Sequence, residues 1–430
     1  MKHLLITTIA LLSMILNVFA GPTEDMFDAF KTHDVDKLKK AITDGANVNA
    51  LDKNGSPALN SAIIWADMTQ LLVDAKANVN DAGKVDMTPL MTAAMMSIPE
   101  SMKILLNAGA DANFKMKNGM TILHYATWRS NCAECVQLLI DKGVDVNAKD
   151  KNGETPITIM MTASTAKSRS ETVIYTTNAY KAAGITVMPD KYSNPKISDW
   201  DDPDVLMEIL IKAKADVNAA NAVGTTPLIT AAFFNKAPLM KMLIDAGANA
   251  NQEDKMGVTP IMQASARGNK DAIEVLLNAG VDINKTFKWY DVKIKADMKD
   301  FTLLSMAALN NNLELVKYLI GKGASCTITT HGTVPVPMYD ISNGNIRGTC
   351  LIQVKNKYAI NYAIGTGNLD LVKAILEGCN LKTYSFTWEK FEIKSLTKGC
   401  LTAGKFVRAS DYAKELGFTA IYEYLRENKL

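Results

Sequence analysis

Residues 222–251, AVGTTPLITAAFFNKAPLMKMLIDAGANAN, decide the fold. Gly224 belongs in a turn, and Thr226 is placed to cap a helix starting at Pro227, where a missing N–H costs nothing. Ala231 and Ala232 keep that helix thin, so a neighbour can approach closely. The segment Asn235 to Pro238 interrupts the chain before a second apolar helix, Leu239 to Ala246, which Gly247 ends in the left-handed conformation. A helix pair of this size has no core of its own and must stack on copies of itself.

The copies are present. Aligning the end of the second helix gives Gly45, Lys76, Gly109, Gly143, Lys214, Gly247, Gly280, Gly323 and Gly378, at intervals of 31, 33, 34, 71, 33, 33, 43 and 55 residues. The first-helix start repeats in step: Thr88-Pro89-Leu90, Thr121-Ile122-Leu123-His124, Thr155-Pro156-Ile157, Thr226-Pro227-Leu228, Thr259-Pro260-Ile261 and the degenerate Thr302-Leu303-Leu304. Tails of the form Gly-Ala-Asp-x-Asn follow, as at Gly109 to Asn113 and Gly143 to Asn147.

A 33-residue period with these motifs resembles the ankyrin-repeat family, from about Thr23 to the C-terminus. The resemblance implies an all-α solenoid of helix–turn–helix units joined by β-turn fingers, with a concave face that binds partner proteins. The expected layout is a signal peptide over 1–20 and an array over 21–430, of about nine repeats plus a C-terminal cap. The first repeat, Phe27 to Asn49, is degenerate and caps the array; Ser410 to Gly417 and Thr419 to Asn428 close it. The 56–73 unit is short and lacks the Thr-Pro pair, and Lys76 and Lys214 stand where glycine usually ends the second helix.

The first twenty residues carry Lys2 and His3, an apolar run from Leu4 to Phe19, and small Ala20 before Gly21, which is the pattern of a secretory leader cut between Ala20 and Gly21. No cysteine follows the run, so a lipid anchor on the new N-terminus is not expected, and neither is a membrane span once the leader is removed. The expected product is exported, bacterial-type, periplasmic or secreted, and monomeric. A net charge of +2 gives no broad basic field, so nucleic acid is not an expected partner.

Four insertions, at 162–203, 285–299, 326–356 and 379–403, break the period. The first adds 37 residues between the two helices of one repeat and carries Tyr175, Tyr180, Tyr192 and Trp200, with a helix predicted near Asn178 to Ala183. The other three alternate apolar and polar residues and are predicted to lengthen the fingers into β-hairpins in the C-terminal half. Cys326 and Cys379 both follow a helix end, while Cys350 and Cys400 both precede the next unit. That parallel predicts hairpin-base bridges Cys326–Cys350 and Cys379–Cys400, with crossed pairing between neighbouring fingers as the alternative.

Signals for chemistry are few. Cys132-Ala133-Glu134-Cys135 is the one arrangement able to hold an activated thiolate, which gives a thiol–disulfide activity as an alternative function. Against it, Cys135 falls at a core position of the second helix, which favours a structural thiol or a local disulfide. His124 occupies the family's motif position, where it ties adjacent turns together; His33 and His331 are far apart and unaccompanied. No zinc, P-loop or nucleophile-elbow spacing occurs, so no catalytic residue, metal or cofactor is expected. Met91, Met95, Met96 and Met102 lie at helical spacing and are read as core. The expected function is therefore non-catalytic protein binding, at the finger tips (Met116, Lys117, Lys151, Glu154, Lys255, Met256) and at the long-finger aromatics (Trp289, Tyr290, Phe386, Trp388). A secreted effector that binds a host protein is the second alternative.

Overall fold

The computed structural model describes residues 21–130, 132–163, 203–291, 296–328, 330–339, 346–357, 359–379, 391–395, 404–406 and 409–428. They fall into two compact units, Met1–Ala222 and Val223–Leu430. The helix expected near Asn178 lies outside the described residues, as do Ala20, Phe386, Trp388 and Cys400.

Among the described residues the first unit holds five helix pairs: α1 (Pro22–Thr32) with α2 (Val35–Thr43), α3 (Ala58–Ala62) with α4 (Ala66–Asp74), α5 (Pro89–Met95) with α6 (Pro99–Asn107), α7 (Ile122–Tyr125) with α8 (Ala133–Asp141), and α9 (Pro156–Ala163) with α10 (Pro203–Lys212). Helix α1 begins at Pro22, earlier than the sequence pattern suggested, with Gly21 as its N-cap. First helices pack on first helices and second on second, as α3 does on α5 and α4 on α6. Ala231 and Ala232, read as spacers, are fully buried, and so are Ala93 and Ala94 at the matching place in α5.

The second unit pairs α11 (Pro227–Phe233) with α12 (Ala237–Asp245), α13 (Pro260–Arg267) with α14 (Lys270–Asn278), α15 (Leu303–Leu309) with α16 (Leu313–Gly321), α17 (Ala359–Gly365) with α18 (Leu369–Gly378), and α19 (Ala409–Glu415) with α20 (Thr419–Glu427). In the opening stretch, Pro238 lies inside α12 rather than in the break before it. The actual punctuation is Asn235, at φ 53°.

The repeated motifs each have a local cause. The hydroxyls of Thr88, Thr226, Thr259 and Thr302 accept a hydrogen bond from the N–H three residues on, capping α5, α11, α13 and α15. In the tails, Asp111, Asp145, Asp216 and Asp282 hold the N–H two residues later in an Asx turn. The final asparagine then reaches the next tail: Asn49 Oδ1 accepts from Asn78 N–H (2.7 Å), Asn80 from Asp111 (2.7 Å), Asn147 from Asp216 (2.7 Å) and Asn284 from Ser325 (2.6 Å). These bonds fix the register of one repeat on the next.

Lys76 and Lys214 are left-handed, at φ 65° and 64°. At the matching Gly247 an added Cβ would meet nothing within 4 Å, so the strain at the lysines is conformational rather than steric. Replacing Lys214 by Gly should therefore raise stability by about 1 kcal/mol, less whatever freedom glycine adds to the unfolded chain. Thermal melting checks this; a lower midpoint contradicts it. Gly378 behaves differently. It ends α18 without a positive φ, and its Cα faces Ile320, whose Cγ2 would lie 2.8 Å from an added Cβ. Close approach, not handedness, requires glycine there.

In the second unit the extra residues form strands β1 (Phe287–Asp291), β2 (Ala296–Phe301), β3 (Thr330–Tyr339), β4 (Ile346–Lys357), β5 (Phe391–Ser395) and β6 (Gly404–Phe406). They make one antiparallel sheet in chain order. Within each pair, Trp289 stands opposite Met298, Val334 opposite Ile352, and Phe391 opposite Phe406. Successive pairs also join, through Met298 opposite Gly332 and Val354 opposite Ile393. The sequence pattern treated the three insertions separately and did not reveal that joining. Phe301 anchors the sheet: it is fully buried, edge-on to Phe287 at 6.4 Å and to Tyr362 of α17 at 5.4 Å.

Candidate functional site

The fingers are built from turns that present a lysine. Gly55 N–H returns to the Asp52 carbonyl, Gly119 to Met116 and Gly153 to Asp150, which leaves Lys53-Asn54, Lys117-Asn118 and Lys151-Asn152 at the tips. These glycines have positive φ (80°, 84° and 74°), and each is also a seat for the next finger. An added Cβ on Gly55 would lie 2.8 Å from the Lys84 side chain, on Gly119 3.0 Å from Lys151 N, and on Gly153 2.8 Å from Ala222 N. The fingers are stitched through the same residues: Lys84 N–H donates to Gly55 O (2.8 Å), Lys117 N–H to the Asp86 carboxylate (3.0 Å), and Lys151 N–H to Asn118 O (3.0 Å). In the second unit Lys255 N–H donates to Val223 O at 3.1 Å.

Lys117, Lys151, Lys255 and Met256 are exposed, Met256 at 68%. Met116 is half-buried. Glu154 is turned to a structural use: its carboxylate accepts from Asn221 Nδ2 at 2.7 Å, and its carbonyl accepts from His124. Trp289 and Tyr290 lie on β1, opposite Met298 and Asp297. The sequence did not point to a groove of about 570 Å³ beside the first finger, lined by Phe27, Phe30, Leu51 and the charged groups Glu24, Asp28 and Lys53. It arises because Phe27 and Lys31 follow Thr23 and Glu24 along one face of α1, a periodicity that a degenerate first repeat disguises.

His124 is fully buried in a capping box. Its Nδ1 accepts from Thr121 N–H at 3.1 Å, so Nε2 carries the proton and donates to Glu154 O at 3.0 Å. Burial pushes its pKa below the ordinary value, and the bond to the Glu154 carbonyl offsets this only in part. The folded protein therefore resists a proton that the unfolded chain accepts. Stability from neutral His124 is complete above the unfolded pKa of about 6.5 and is lost as pH falls through it. The expected result is a urea midpoint lower at about pH 5.5 than at about pH 7.5, with His124→Asn shrinking the difference. An unchanged difference contradicts the assignment.

His33 is not unaccompanied. Its ring stacks on Trp65 (centroids 3.7 Å apart, planes 6° apart), and Nε2 lies 3.0 Å from an Asp67 carboxylate oxygen. The contact joins the first two repeats across a separation that sequence spacing hides. His331 stands opposite Lys299 in the β2–β3 register.

The cysteine pairing differs from the expected one. Cys326 is bonded to Cys379, with Cα atoms 6.1 Å apart, and not to Cys350, which lies on β4 opposite Val336. The Cys379–Cys400 bridge is thereby excluded as well. The reason is lateral stacking: the turn after α16 lies on the turn after α18, as the Ile320–Gly378 approach shows, so equivalent positions of consecutive repeats meet. Cys132 and Cys135 form a local disulfide, with Cα atoms 5.2 Å apart. Cys132 caps α8, its sulfur accepting from Cys135 N–H at 3.1 Å. Cys135 is fully buried and Cys132 is 8% exposed, an arrangement that holds a helix start rather than offering a sulfur to a partner thiol. Of the methionines read as core, Met91, Met96 and Met102 are buried, while Met95 is half-buried. Among the described residues no helix is long and apolar enough to cross a membrane.

Two family models match the chain. One, described as ankyrin repeats in three copies, covers residues 26–116, 67–150, 99–174 and 199–287; the other, ankyrin repeats in many copies, covers 261–320. Together they span well over half of the 430 residues. Members generally serve as non-enzymatic scaffolds for protein–protein interaction. Helix pairs, capped Thr-Pro starts, glycine-ended second helices and these matches lead to one statement: the chain belongs to the ankyrin-repeat family.

Proposed function

We propose that the protein is an exported, non-catalytic scaffold of the periplasm or cell exterior that holds a protein partner on its finger row. One observation carries this reading. Within each unit the fingers are hydrogen-bonded to one another in series, while their tips expose lysine and apolar groups. A rigid row with an exposed chemistry is pre-organised for binding. Two further features support it: the leader-like start, which would direct export, and disulfides, which persist in an oxidising compartment.

The test has two arms. Intact mass of the chain recovered from the exported fraction should correspond to a start at Gly21; an uncleaved, cytosolic chain overturns export. Lysine-reactive crosslinking in that compartment, read by mass spectrometry, should join finger-tip lysines to one recurrent protein. Adducts spread evenly over all exposed lysines and many proteins overturn the scaffold reading.

A further inference from the structure

Four finger-tip lysines of the first unit, Lys53, Lys84, Lys117 and Lys151, occupy successive fingers, and all four are exposed. The backbone N–H groups of the last three are tied to the preceding finger, so the spacing of the row is fixed by the repeat stack. None of the four ammonium groups is in an ion pair among the described residues. The lysines of α1, α2 and α6 are all paired with carboxylates, whereas the four finger lysines keep their ammonium groups available to a ligand. The row ends at Ala222, which takes the lysine position on the next finger and donates its N–H to Asn152 O at 2.7 Å.

From this we infer that the row binds an extended acidic segment of the partner protein, with a carboxylate at every third residue. The inference rests on the scaffold reading above and names the chemistry of its partner. Packed helices stand about 8–10 Å apart, which sets the interval between successive lysines. A chain in the extended polyproline II conformation rises about 3.1 Å per residue with about three residues per turn, so carboxylates three residues apart lie on one face and keep step with the row. Apolar contact is available beside the lysines, from Leu51 (38% exposed) and Val85 (40%). Half-buried Asp52, Asp86 and Asp150 alternate with the lysines and are held by backbone N–H groups. Their charge opposes a continuous anionic sheet, such as a lipid surface, more than it opposes discrete carboxylates in register with the lysines.

The probe is a synthetic twelve-residue peptide with four glutamates at every third position, separated by serine and valine. Its isomer has the same four glutamates contiguous. Both are titrated against the full mature chain at low and at about 0.5 M salt, where screening reaches within a few ångströms. The spaced peptide should bind more tightly than its isomer, and binding should fall with salt. Each of Lys84→Gln, Lys117→Gln and Lys151→Gln should weaken it about two- to five-fold, as for exposed ion pairs, with folding unchanged because glutamine keeps the stem and the backbone N–H. Equal affinity for both peptides, or no loss in the glutamine variants, overturns the inference. So does tighter binding to vesicles containing anionic lipid than to either peptide. If the partner found by crosslinking binds the triple variant as well as the parent, the lysine row is excluded while the scaffold reading stands.

Discussion

Replacing Cys326 and Cys379 by serine should cost the second unit about 4 kcal/mol, the loop-closure entropy of a cross-link spanning roughly fifty residues. The separation between the two cysteines is 53 residues, and the bridge closes β3, β4, α17 and α18 into one loop. Urea unfolding followed by circular dichroism should show a lower midpoint with little change in slope. Peptide mapping under non-reducing conditions should recover Cys326 joined to Cys379. Finding Cys326 joined to Cys350 contradicts this placement, and it would restore the hairpin-base pairing that local spacing suggests. Cys350→Ser should leave the midpoint close to that of the parent.

Truncating Phe301 to alanine should be comparably severe. A fully buried phenylalanine removed from a core costs about 3–5 kcal/mol, through lost transfer energy and the cavity left behind. Phe301 is fully buried between Phe287 and Tyr362, and thus joins the start of β1, the end of β2 and α17. The loss should be read twice, as a drop in the unfolding midpoint and as faster amide exchange in Phe287–Asp291 and Ala296–Phe301 than in α12 or α14. Phe301→Leu, which keeps most of the volume, should recover the greater part. A midpoint within about 1 kcal/mol of the parent shows that the phenylalanine is not the anchor.

What the sequence made legible was everything repeated at fixed spacing. Thr88, Thr226, Thr259 and Thr302 cap as their position implies, Lys76 and Lys214 take the glycine conformation, and His124 bonds the neighbouring turn. Each of these is a short-range relation, or one repeated in every unit. The misses were lateral. Cys326 meets Cys379, His33 meets Trp65, and β2 joins β3, because stacking brings together residues that insertions have separated along the chain. Periodicity tells which positions are equivalent; it does not show that equivalent positions in consecutive units touch. Lys117 and Lys151 were legible as finger-tip binding candidates, but their alignment with Lys53 and Lys84 in one hydrogen-bonded row was not.

The most direct measurement places a photoreactive side chain at one of two positions of the same repeat, in the native compartment. Position 117 is on the finger tip and position 137 is an exposed site on α8. The expected result is a single protein adduct from position 117 and none from position 137, with the adduct weakened by Lys84→Gln. An adduct of equal yield from both positions, or from position 137 alone, contradicts binding along the finger row.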